Sequence, residues 1–323
     1  MSLKSSVAQL ARALLSEEMF RRLSSLYHRL RGAESVQPAP PDDLPDWDLC
    51  LGDSRMDPRL KLMLIDFIGR SEATITSAYW SILCRKNVVQ LLHMGYENFK
   101  QTVALNYFTW VVGKEDPQAV FLTTNLPGHF VADARRRAQN LPSHEFMTRE
   151  QSTFFDTMTY LLWEFTRGTV GGEMLQELEE PAAGNPPAIE LHGRKISQDL
   201  ANSVLEYHSI LRGLPDTGHI GTITEIGGGY GRTAYVFLRK MPWVRYIMAD
   251  IPPALYIAER YLTGEFPDRK VFRYRPFNDF ADVQEEFRAA DLVFLMPDQL
   301  QLLPDNSTGE DRPSTRRRYA GWR

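Results

Sequence analysis

The residues best suited to chemistry lie between Glu225 and Asp250. Glu225-Ile226-Gly227-Gly228-Gly229-Tyr230-Gly231-Arg232 sets an acid and four glycines at the end of a short β-rich run, 222–226. Glycines suit such a loop because a side chain would keep a ligand off the backbone, and because some positions need positive φ. An acid beside the loop favours a cationic group such as an ammonium and repels a pyrophosphate. Asp250 follows twenty-five positions later, closing a second β-rich run, 243–249. A carboxylate at a strand tip can accept both hydroxyls of a ribose.

These residues need a frame that brings them together. After the glycines, Ala234, Phe237, Leu238 and Met241 repeat at helical spacing and stop at Pro242. Strand, tight turn and helix in that order form the front of a Rossmann-like unit, with Pro252-Pro253 fixing the exit from the second strand. A glycine loop alone does not decide the ligand. The dinucleotide pattern can be matched by Gly229-Tyr230-Gly231-Arg232-Thr233-Ala234, but that register starts two residues beyond the strand end. Starting at the strand end instead puts Arg232 where a third small residue should hold helix and strand together. The alternation Glu225-x-Gly227-x-Gly229-x-Gly231 fits better, and it suits S-adenosyl-L-methionine, whose amino-acid end carries an ammonium.

With those residues in place, Tyr246-Ile247-Met248-Ala249-Asp250-Ile251-Pro252-Pro253-Ala254-Leu255-Tyr256, Phe294-Leu295-Met296-Pro297-Asp298-Gln299-Leu300 and Leu303-Pro304 complete a pattern. It resembles the bacterial sugar O-methyltransferase family of class I methyltransferases. Asn185-Pro186, Gly193-Arg194 and Asp199-Leu200-Ala201-Asn202 are also similar, so the likeness runs from about Gly184 to Ser307. The resemblance implies methyl transfer from S-adenosyl-L-methionine to a hydroxyl of a sugar or sugar nucleotide. It implies that Glu225, Gly227, Gly229 and Gly231 line the methionine end and that Asp250 holds the ribose. Residues 292–296 would be a third strand, placing Asp298 and Gln299 near the adenine; Asp298 reads equally as the capping acid of its own turn. No catalytic base is assigned.

The rest of the chain reads as support. The expected fold class is α/β, a helical N-terminal domain followed by a partial, three-stranded Rossmann-like methyltransferase domain. Residues 1–46 hold an amphipathic helix (Val7, Leu10, Leu14, Leu23 and Leu30 near one face) and a Pro-rich linker. That helix would pack on its own protein or on a twin subunit, which leaves a homo-oligomer open. Residues 47–215 are mostly helical, with a turn at Asn125-Leu126-Pro127-Gly128 and a last helix running from an N-cap at Ser197 to Gly213. His208 falls on that helix's packed side, and Trp80, Trp110 and Trp163 read as core rather than as sugar-stacking surfaces. The seven histidines lack paired spacing, so no metal site is assigned.

Composition excludes several classes. With 37 basic against 41 acidic residues, no global basic excess points to nucleic acid. Apolar stretches are too short for a membrane span. Two cysteines, Cys50 and Cys84, exclude a disulfide scaffold and fit a reducing, cytoplasmic setting. Residues 216–307 make the cofactor-binding domain, and 308–323 form an atypical tail with five arginines and no Val, Ile, Leu, Met or Phe. A fourth hydrophobic strand is expected there, so the change of texture reads as a truncated or frameshifted end that would cost activity. The other reading is a non-catalytic helical interaction protein that keeps a vestigial half-site.

Overall fold

The computed structural model describes residues 46–70, 78–102, 110–145, 147–214 and 220–304. The helix expected at 5–30, the proline-rich linker and the tail lie outside the described residues. In chain order the described elements are α1 (Trp47–Gly52), α2 (Pro58–Arg70), α3 (Ala78–Met94), α4 (Phe99–Thr102), α5 (Pro117–Asn125), α6 (Gly128–Ala138), α7 (Arg149–Val170) and α8 (Gly172–Leu175). There follow β1 (Ile189–Leu191), β2 (Arg194–Ile196), α9 (Gln198–Arg212), β3 (Thr222–Ile226), α10 (Arg232–Lys240), β4 (Arg245–Ala249), α11 (Ala254–Glu265), β5 (Val271–Phe272), α12 (Gln284–Ala289) and β6 (Leu292–Leu295). Among the described residues no helix is long and apolar enough to cross a membrane.

The chain divides into two compact units. Of the described residues, 46–53 and 81–214 belong to one, and 54–70, 78–80 and 220–304 to the other. The first is helical and centred on α7. A capping box starts that helix: Gln151 N donates to Thr148 Oγ1 at 3.2 Å, and Thr148 N to Gln151 Oε1 at 2.8 Å. Phe155, Met158, Leu161, Leu162 and Trp163 are buried on it, with α5, α6 and α9 packed against it. Ser197 caps α9 by accepting from Leu200 N at 3.0 Å, and the helix ends at Gly213. His208 lies partly buried on α9, where burial, helped by Arg212, lowers its pKa.

A buried ion pair ties three segments of this unit together. Lys100 Nζ donates to Glu180 Oε1 at 2.5 Å, and Ser197 Oγ donates to the other oxygen of the same carboxylate at 2.5 Å. The β1–β2 hairpin, which the periodicity does not announce, turns at His192-Gly193, both at positive φ, as a two-residue hairpin requires.

The second unit is mixed α/β around a four-stranded, all-parallel sheet of order β3-β4-β6-β5. Its strands are buried where helices cover them, with Ile247, Ala249, Phe272, Phe287, Val293 and Leu295 in one core cluster. The sequence predicts three strands, which would leave the last of them, 292–296, at the edge of the sheet. Instead β6 is interior, because the two-residue strand β5 pairs outside it. So short a strand has no period of two to detect. In the dinucleotide-binding order, 3-2-1-4, the glycine strand is interior. Among the described residues β3 is terminal, and Ile226 at its end is 67% exposed.

The α/β unit also takes in α2, although its place in the sequence groups it with the helices. Glu259, 2% exposed on α11, is the reason. Arg59 of α2 binds it in bidentate fashion (Nε–Oε1 3.0 Å, Nη2–Oε2 2.8 Å), and Tyr274 N donates to it at 2.8 Å.

In the helical unit, Lys100→Met should strand a buried carboxylate and destabilise the protein by about 3–5 kcal/mol. Adding Glu180→Gln should restore much of the loss. Urea unfolding of the single and double variants measures this; equal midpoints for wild type and Lys100→Met would show that the pair holds nothing.

Candidate functional site

The three segments singled out by residue type meet at the carboxyl ends of β3, β4 and β6. Gly227, Gly229 and Gly231 adopt φ of 75°, 62° and 89°, so every second residue of the turn is left-handed. A Cβ built on Gly227 meets nothing within 4 Å, which leaves room beside the backbone at the strand tip. Gly231 packs instead against α11, where a Cβ would lie 2.9 Å from Leu262 Cδ1.

Two carboxylates flank the turn. Glu225 is partly buried and accepts from the Tyr246 hydroxyl at 2.9 Å. Asp250, at the tip of the adjacent strand, is 9% exposed. Its Oδ2 accepts from Gly229 N at 2.7 Å and its Oδ1 from Ile251 N at 2.7 Å, so the acid holds the glycine turn shut against its own strand. Burial pushes the Asp250 carboxyl up to about 7; the two amides oppose the rise and the Glu225 charge adds to it.

The β6 exit lies next in line, since Asp250 N donates to Leu295 O at 3.1 Å. Gln299 is fully buried and closes its own turn: Oε1 accepts from Met296 N at 2.9 Å and Nε2 donates to Arg275 O at 2.8 Å. Asp298 is half-buried and bonds Arg70 of α2 at 2.7 Å; Arg70 also bonds Asp66 at 2.8 Å, which in turn accepts from the Tyr274 hydroxyl. Thus α2 borders the third segment of the site, a contribution that spacing alone could not show.

In the helical unit, away from these segments in sequence, His144 Nε2 meets the buried Asp156 Oδ1 at 2.6 Å, and His144 N donates to Ser152 Oγ at 3.0 Å. This pins the α6–α7 connection onto the start of α7. The separations of eight and twelve residues gave no paired spacing to notice. Trp110 and Trp163 are core, whereas Trp80 is 43% exposed.

Comparison with known proteins returned no match to any family model, curated protein or solved structure.

The raised pKa of Asp250 makes stability depend on pH in a definite direction. Between roughly pH 4 and 7 the folded chain keeps a proton that an unfolded aspartate has released. This contribution to stability is present below about pH 4 and is lost as pH rises through about 7, by at most about 1.4 kcal/mol per pH unit. Denaturation at pH 5 and pH 7 should therefore show a decline that Asp250→Asn lacks. Identical slopes for the two proteins would mean that Asp250 does not titrate in this window.

Proposed function

We propose that the α/β unit binds S-adenosyl-L-methionine and that the protein is an O-methyltransferase acting on a sugar hydroxyl. One observation carries this reading: Glu225, a turn of alternating left-handed glycines and Asp250 stand together at neighbouring parallel strand tips. Ligands of parallel α/β sheets bind at that end. The residues present fit the cofactor. Glu225 offers a carboxylate for the ammonium, the space at Gly227 admits ligand atoms against the backbone, and Asp250 offers two oxygens for ribose hydroxyls. To do so, Asp250 exchanges its bond to Gly229 N for one to the ribose.

When bound, the cofactor supplies an electrophilic methyl on a sulfonium. The protein's own task is to set the acceptor oxygen in line with that carbon and sulfur. The acceptor class, a sugar or sugar nucleotide, rests on the family resemblance of residues 184–307, and the Rossmann-like reading on the succession of strand, glycine turn and helix from Thr222 to Lys240. Among the described residues the glycine strand is terminal in the sheet, so the test falls on binding first.

Calorimetry should show S-adenosyl-L-methionine binding that Asp250→Ala weakens by about 1.5–3 kcal/mol, the range for hydrogen bonds to a charged group. Gly227→Val should abolish it, since a β-branched residue resists positive φ and fills the space at the strand tip. Ribose hydroxyls donate to the ionised acid, so affinity should rise from pH 5 to pH 8 as Asp250 loses its proton. Binding of NAD in place of S-adenosyl-L-methionine would refute the assignment.

A further inference from the structure

The glycine turn contains a fourth glycine, Gly228, whose backbone is not left-handed and which nothing above has used. A Cβ built there would come 2.6 Å from Glu225 Oε2 and 2.9 Å from Met248 Cε. Glu225 and Met248 are register partners on β3 and β4, and Tyr246 stands two residues from Met248 on the same face of the sheet. The Tyr246 ring is 2% exposed and packs 6.1 Å from Phe237, so its hydroxyl has a fixed position. That hydroxyl meets the same carboxylate oxygen, Oε2, at 2.9 Å. Glu225 is therefore held on two sides, by a hydroxyl anchored in the core and by a backbone that approaches because it lacks a side chain.

We infer that Tyr246 and Gly228 are positioning residues, which aim the Glu225 carboxylate at the cationic amino-acid end of the cofactor. The inference rests on the cofactor reading and adds what discriminates within that ligand. Hydrogen bonds to an ionised group are short and directional, so a carboxylate fixed by one before the ligand arrives loses less freedom on binding. The adenosine end is served by Asp250 on the next strand tip and needs neither residue. Their loss should therefore weaken ligands that carry the amino-acid group and spare ligands that lack it.

The test compares S-adenosyl-L-homocysteine with 5′-methylthioadenosine, which shares the adenosine and the thioether but has no ammonium. Tyr246→Phe keeps the buried ring and removes only the hydroxyl. It should weaken S-adenosyl-L-homocysteine about tenfold and change methylthioadenosine less than about twofold. Gly228→Ala reaches the same carboxylate by a different route and should reproduce the selective loss, so a folding defect in one variant leaves the other as a check. Glu225→Gln should show the same selectivity, and adding Tyr246→Phe to it should cost little more. Equal weakening of both ligands, or of neither, by both variants would overturn the positioning role while leaving the cofactor reading intact. If the wild-type protein binds neither compound, the cofactor reading falls and this inference falls with it.

Discussion

The α/β unit depends on a backbone constraint: three left-handed residues within five positions, Gly227, Gly229 and Gly231. For residues with a Cβ, that conformation costs about 1–2 kcal/mol each. Three such residues would consume a large part of the roughly 5–15 kcal/mol that holds an ordinary domain together. Only glycine makes the turn at no steric cost. The turn sends the chain from β3 into α10, lets Gly231 approach α11, and brings Gly229 N onto the acid of the neighbouring strand. The candidate site is thus a direct product of the turn.

What could be read from the sequence follows from how local each feature is. Thr222–Ile226 was delimited to the residue, because a β-rich run meets glycines on one side, and the cap at Ser197 was legible for a similar reason. The strand ending at Ala249 and the run from Leu292 are visible as apolar segments, although the first begins at Arg245, two residues later than its run. The order of the strands was not, since it is decided by pairing across the sheet. Nor was β5, whose two residues carry no pattern. Gln299 shows the same limit at a single side chain: its amide closes the turn from Met296 and reaches Arg275 O, a role set by three-dimensional placement and not by spacing.

Both units tie distant segments with one buried carboxylate. Glu180 collects Lys100 and Ser197, whereas Glu259 collects Arg59, Arg273 and the Tyr274 amide. Such groups contribute little net stability against an apolar replacement, but each is costly to leave half-paired. Their effect is to penalise any arrangement in which the partner segment is displaced. For Glu259 that segment is α2, two hundred residues upstream in the bond it makes through Arg59.

That separation acquires a different meaning during synthesis. Arg70 leaves the ribosome about 150 residues before Thr222, an interval of roughly 10–30 s at ordinary elongation rates. Over that time the helical unit, whose larger part (81–214) is encoded in between, can be completed, while α2 has neither Glu259 nor the sheet to meet. Its apolar side, Leu60, Met63, Leu64 and Phe67, has no native partner within its own unit until the last third of the chain emerges. An early segment held in waiting keeps its apolar surface uncovered for longest, and here that segment is α2.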